Sequence, residues 1–249
     1  MGVAGRDEVM RRIRKALGRP PDCPSRTTES SLAPPLPLTG ILPVIPPEEL
    51  VTKFEAEFAN VAGVAHRAAN RQVLEEILRV IVAKASTVVL SRNPLLAELN
   101  LAPLLRGWGK GVSVWPAGGA EVDAADGKAS RQAFAEACFA ATVGITGVEF
   151  VLAETGSLGV TSRTEGAQLT SLAPPVHVAL YRQSQLVASL DEILERLTGA
   201  CGPEEALTGR SIVVITGTSR TADIEQILVR GVHGPGEIHA ILVEPECSI

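Results

Sequence analysis

Apolar residues recur at three- and four-residue steps near the start of the chain, where Val9, Met10, Ile13 and Leu17 mark one face of an amphipathic helix over 6–18. Gly18 and Pro20 end it. The periodicity then vanishes: nine of the 17 prolines fall between Pro20 and Pro47, amid Ser and Thr, which predicts an extended linker that adds little to a core. From Pro47 onward helical and strand patterns alternate. Helices are expected at about 48–60 and 70–84, ahead of the short β-branched runs Ser86–Ser91 and Val112–Trp115, which read as buried strands. Lys128 to Val143 has helical spacing, with Ala133, Phe134, Ala137, Cys138 and Ala141 on one face, and the sequence at 144–147 is expected to end it.

The second half continues the alternation. Val148–Ala153 reads as a strand, Glu154–Gly156 as a turn and Ser157–Ser162 as the returning strand of a hairpin. Val176–Tyr181 is a further strand, followed by a helix carrying Leu190, Ile193, Leu194 and Leu197. Ile212–Ile215 is expected to feed a last helix with Ile224, Ile227 and Leu228 on its apolar face, and Ile238–Val243 closes the pattern as a strand. Strands separated by helices imply an α/β fold with a mostly parallel sheet flanked by helices. The expected organisation is an N-terminal helix (1–18), a proline-rich linker (19–47) and one α/β domain (48–249).

Charge and composition narrow the function classes. A net charge of −5 offers no basic footprint for nucleic acid, and Arg11, Arg12, Arg14 and Lys15 read as a solvated helix side. One tyrosine and two tryptophans leave few stacking platforms for single strands. The chain has neither the apolar core of a signal peptide nor a run of ~18 apolar residues, so a cytoplasmic protein with no membrane span is expected. The four cysteines at 23, 138, 201 and 247 lack ferredoxin, zinc or disulfide spacing, and Cys138 reads as core. No phosphate-binding glycine motif, zinc-protease motif or nucleophile elbow is present, so no metal or cofactor is signalled for this chain.

Four polar segments carry candidate chemistry. In Leu152-Ala-Glu-Thr-Gly-Ser-Leu-Gly159 a carboxylate ends an apolar strand beside glycines that permit close approach, so Glu154 is a nucleophile, a general base, a hydrogen-bond acceptor, or a solvated turn residue, with Thr155, Gly156 and Ser157 beside it. In Thr216-Gly-Thr-Ser-Arg-Thr-Ala-Asp223, placed after a strand and before the expected helix, Thr218, Ser219 and Arg220 suit a small carboxylate or phosphate; ordinary helix capping explains the hydroxyls but not Arg220. His233, flanked by glycines in Gly231-Val-His-Gly-Pro-Gly236, is a proton donor or a turn residue. Arg163 and Glu165 in the polar run 161–168 are loop candidates for ligand contact.

The strings Gly144-Ile-Thr-Gly-Val-Glu-Phe-Val-Leu-Ala-Glu-Thr-Gly-Ser157, Ser171-Leu-Ala-Pro-Pro-Val-His177, Thr216-Gly-Thr-Ser-Arg-Thr-Ala-Asp-Ile-Glu225 and Gly231-Val-His-Gly-Pro235, in that order, resemble the LUD (lactate utilization) domain family. The resemblance implies a fold similar to the glucosamine-phosphate deaminase, ribose-phosphate isomerase and CoA-transferase superfamily, and a part in oxidising L-lactate to pyruvate. It implies partners too: an iron–sulfur LUD protein and a cysteine-rich protein. Because this chain lacks ferredoxin-type cysteines, the iron–sulfur clusters are expected in those partners, with this chain a non-redox subunit. The alternatives it leaves open are a CoA-transferase-like enzyme with Glu154 as covalent nucleophile, and a sugar-phosphate isomerase with Glu154 as base.

Overall fold

The structure, a computed structural model, describes residues 45–115, 125–193, 211–222 and 228–248, together with Val9, residues 11–13, Lys15 and Ala16. Two compact units divide the chain, Met1–Pro43 and Val44–Ile249. In the first, Val9, Arg11, Arg12, Ile13, Lys15 and Ala16 are helical. The remainder of the expected 6–18 helix and nearly all of the 19–47 linker lie outside the described residues.

The second unit opens with α1 (Leu50–Asn60), whose Phe54 and Phe58, one turn apart, are fully buried and stack with ring centroids 5.1 Å apart. Strand β1 (Val64–Ala68) follows, then α2 (Arg71–Ile81), started by the Asn70 side chain accepting the Val73 N–H at 3.1 Å and burying Leu74 and Leu78. Next come β2 (Thr87–Leu90), the short helices α3 (Pro94–Glu98) and α4 (Leu101–Gly107), and β3 (Gly111–Val114). Helix α5 (Ala125–Ala140) leads to β4 (Val143–Thr146), and β5 (Phe150–Leu152) pairs with β6 (Ser157–Thr161) as a hairpin. Two four-residue helices, α6 (Ser162–Glu165) and α7 (Leu169–Leu172), precede β7 (Val176–Tyr181) and β8 (Leu186–Val187). The described remainder is β9 (Ile212–Ile215), β10 (Arg220–Ala222), β11 (Leu228–Arg230) and β12 (Glu237–Val243).

Six strands form one sheet in the order β1-β12-β7-β4-β2-β3, every pairing parallel. The protein is therefore α/β, with a parallel sheet covered on both faces. On one face Leu90, Ile145, Val178, Leu180 and Ile241 meet Leu74 and Leu78 of α2 and Leu95, Leu101 and Leu105 of α3 and α4. On the other, Tyr181, Ala240 and Leu242 meet Phe54 and Phe58. The same cluster takes in Val151, Leu158 and Val160 of a second sheet, ordered β8-β5-β6-β9, so α1 is packed by both sheets at once. A two-stranded antiparallel ribbon, β10-β11, completes the set.

Sheet order locates a crevice. After β2 the chain moves outward to β3, whereas after β4 it moves the opposite way to β7. Adjacent strands whose connections diverge leave an opening at their carboxyl ends, where open α/β sheets receive ligands. Here that opening lies between β2 and β4.

Several sequence expectations need correction. Residues 143–146 are not a helix end: they form β4, fully buried at the centre of the sheet. Gly144 permits this because a Cβ there would fall 1.9 Å from the Thr170 carbonyl oxygen. Strand β1 was not expected; its mixed sequence Val-Ala-His-Arg-Ala belongs to a sheet edge. Ile212–Ile215 is a strand, but in the second sheet, antiparallel to β6. The segment after it carries β10 and not the start of a helix, and Leu228 is in β11; 223–227 lie outside the described residues. The helix expected around Leu190–Leu197 is described only to Ile193.

Candidate functional site

The opening between β2 and β4 is occupied by a carboxylate. Glu165, the last residue of α6, is fully buried: Oε2 accepts the Ser91 hydroxyl at 2.5 Å and the Gly147 N–H at 3.0 Å, and Oε1 accepts the Asn93 amide. Ser91 and Asn93 follow β2 and Gly147 follows β4, so one side chain ties the two diverging connections together. Gly147 is required by the approach, since a Cβ would fall 2.2 Å from the Asn93 amide group. Burial pushes the Glu165 carboxyl above its ordinary range, against the opposing pull of the Ser91 and Asn93 hydrogen bonds. Arg163, its neighbour in sequence, is exposed and paired with Glu149. The two loop candidates thus part company.

The Glu154 turn is built on the backbone of α1. Gly156 has φ +62°, and a Cβ there would lie 2.4 Å from the Phe58 nitrogen, so the glycine admits the helix instead of a ligand. Gly159 faces the Phe150 ring across the hairpin in the same way, with 2.2 Å to a hypothetical Cβ. Glu154 is half-buried, and its Oε1 accepts the Leu190 N–H at 2.9 Å, a cap on the following helical turn. Beside it runs a short hydroxyl chain: Thr155 to Ser157 at 2.7 Å, then Ser157 to Thr216 at 2.7 Å.

That chain joins the turn to the 216–220 loop, and the loop joins the His233 turn. Gly217, at φ +77°, packs on Val61 just past α1, and the Thr218 N–H donates to the Val61 carbonyl at 3.4 Å. The Thr218 hydroxyl is buried with no partner among the described residues. Ser219 donates its N–H to the Pro235 carbonyl at 2.9 Å and accepts the Gly231 N–H at 3.0 Å. Arg220 and His233 are both exposed, and the β10-β11 register sets Arg230 opposite Arg220. Three segments separated in sequence are therefore contiguous, but Glu165 belongs to a different place, the sheet crevice.

Sequence reasoning did not find the partners of Glu165, nor a cavity of about 290 Å³ beside them at the carboxyl ends of β2 and β3. Neither did it find the chain Glu237–His239–His66, linked at 2.7 and 3.0 Å. No spacing signals these, because the linked residues come from distant strands. His177 is fully buried, hydrogen-bonded through Nε2 to the Thr146 hydroxyl at 2.9 Å, and burial lowers its pKa to about 3, so it is a neutral core residue. Cys138 is core as expected, its thiol pushed up to about 11 by burial. Among the described residues no group of three or more His, Cys, Asp or Glu is placed to hold a metal ion, and no helix is long and apolar enough to cross a membrane.

Comparison with known proteins matches residues 51–243 to the LUD domain. Lactate utilization protein C of Geobacillus thermodenitrificans is 33% identical over 163 residues, a match that spans 63% of this chain and 62% of that relative's length. The protein of the same name from Shouchella clausii is 29% identical over 248 residues, covering 97% of this chain and 99% of that one. The crystal structure of a DUF162 family protein from Deinococcus radiodurans superposes with a TM-score of 0.54 at 19% identity, over 81% of this chain and 100% of that chain, a likeness of fold. With a domain match running from α1 to β12, the chain belongs to the LUD domain family.

Proposed function

We propose that this chain is a component of an L-lactate utilization system, a non-redox subunit acting beside an iron–sulfur LUD protein and a cysteine-rich protein that together oxidise L-lactate to pyruvate. The observation that carries the reading is the near full-length alignment with Lactate utilization protein C of Shouchella clausii. The oxidation releases two electrons and two protons, which need an acceptor. Cys138 and Cys247 are both buried with thiols pushed upward by that burial, the opposite of what a cluster ligand requires. Cys23 and Cys201 lie outside the described residues, and the four cysteines lack ferredoxin spacing in the sequence, so this reading assigns electron transfer to the partners.

In this reading the contiguous Glu154, Arg220 and His233 segments form the working surface. The exposed Arg220 faces a monocarboxylate, while Glu154, held by the Leu190 N–H, accepts a hydrogen bond and does not act as a nucleophile. Deleting the gene in its host should slow growth on L-lactate and leave growth on pyruvate intact. Tagged protein from lactate-grown cells should retain an iron–sulfur protein, read by visible absorbance. Normal growth on L-lactate with no such protein retained would overturn the proposal.

A further inference from the structure

We propose that the cavity at the carboxyl ends of β2 and β3 is a second binding site, for a monocarboxylate with an apolar chain longer than that of lactate, whose carboxylate is taken by Arg92. The cavity measures about 290 Å³ and lies against α3 and α4. Its wall is largely apolar, including Leu96, Leu101 and Trp115, and Arg92 is the single charged residue among its described lining. A lone cation on an apolar wall selects an amphiphilic anion.

The guanidinium is presented, not neutralised. Arg92 is half-buried, and its Nη2 donates to the Arg163 carbonyl at 2.9 Å and the Ser162 carbonyl at 3.5 Å. Among the described residues it forms no ion pair, which leaves Nε and Nη1 for a ligand. The loop that carries it is anchored on both sides: Ser91 and Asn93 donate to the Glu165 carboxylate, the Arg92 N–H donates to the Glu165 carbonyl at 3.2 Å, and Asn93 accepts the Leu95 N–H at 2.9 Å. Glu165 is thus a positioning residue. It holds the neutral donors of the loop, so the ligand's charge falls to Arg92. The volume sits near the lower end of small-molecule sites, about 300–1,000 Å³, which suits a chain of five or more carbons better than a two-carbon tail.

This site is separate from the surface assigned to lactate utilization, and its test needs no lactate chemistry. Titration calorimetry on the full chain should give hexanoate binding about 50-fold tighter than propanoate, from three methylenes at about 0.8 kcal/mol each. Hexanamide, the same length without charge, should bind about 10-fold or more weakly than hexanoate. Arg92→Met should erase the preference for hexanoate over hexanamide, and Ala97→Trp, at the exposed rim, should block both. Equal binding of hexanoate and hexanamide, equal binding of propanoate and hexanoate, or no binding at all would overturn the proposal. Those comparisons use the unsubstituted chain, so they stand even where a variant fails to fold.

Discussion

Replacing Glu165 by glutamine tests whether one buried carboxylate holds the β2 and β4 connections together. The carboxylate accepts on both oxygens, from Asn93 on one and from Ser91 and Gly147 on the other. A carboxamide keeps only one acceptor, so its NH2 must face either the Asn93 amide or the Gly147 N–H. Neither of those can turn away cheaply: the Asn93 oxygen is already committed to the Leu95 N–H, and the glycine donor is backbone. One buried donor is left unsatisfied, a cost of about 2 kcal/mol. At a urea dependence of about 2 kcal/mol per molar, the midpoint of unfolding should fall by about 1 M. Glu165→Ala, which strips the acceptor from all three donors, should cost more. Equal midpoints for the two proteins at neutral pH would refute the reasoning.

Two other perturbations follow from the same geometry. Gly156→Ala places a methyl 2.4 Å from the Phe58 nitrogen at a left-handed φ of +62°, so it should cost at least about 2 kcal/mol and lower the thermal midpoint, followed by circular dichroism, by about 4 °C or more; an unchanged midpoint would mean that α1 does not pack on the turn. His177, with its pKa lowered from 6.5 to about 3, contributes stability that is present above 6.5 and lost as pH falls, about 3 kcal/mol by pH 4.5; His177→Gln should flatten the urea-midpoint profile over that window, and an unchanged slope would count against a buried neutral imidazole.

What could be read from the sequence was local. The apolar runs of β7 and β12 announce buried parallel strands, and the turn after Ala153 announces the β5-β6 hairpin, because each signal lies within a few consecutive residues. β4 was hidden because it begins just past α5 and carries a glycine, whose reason is the Thr170 backbone 26 positions later. β1 was hidden because His66 and Arg67 interrupt its alternation at the sheet edge. In the 216–228 segment, apolar residues at three- and four-residue steps read as a helix, yet Arg220–Ala222 and Leu228–Arg230 form a ribbon whose pairing comes from across the gap. Glu165 could be named as a polar loop residue. Its burial could not, since Ser91 and Asn93 lie 74 and 72 positions away.

Two carboxylates divide the functional question. Glu154 comes just after the apolar strand β5, whereas Glu165 ends the short helix α6 after β6; each precedes a glycine, by two positions and by one. Glu154 commits one oxygen to a local cap and stands half-exposed among loops that share the exposed Arg220 and His233. Glu165 commits both oxygens and fills the crevice that open α/β sheets ordinarily leave for a ligand. A crevice occupied by the protein's own carboxylate repels another anion, so a carboxylate ligand must sit to one side, either on the loops around Arg220 or in the cavity served by Arg92. Because Glu165 anchors Arg92 through Ser91 and Asn93 but has no hydrogen bond to the 154–157 or 216–220 segments, its substitution should disturb hexanoate binding and leave partner retention unchanged. Loss of both together would mean that the two surfaces are one coupled site.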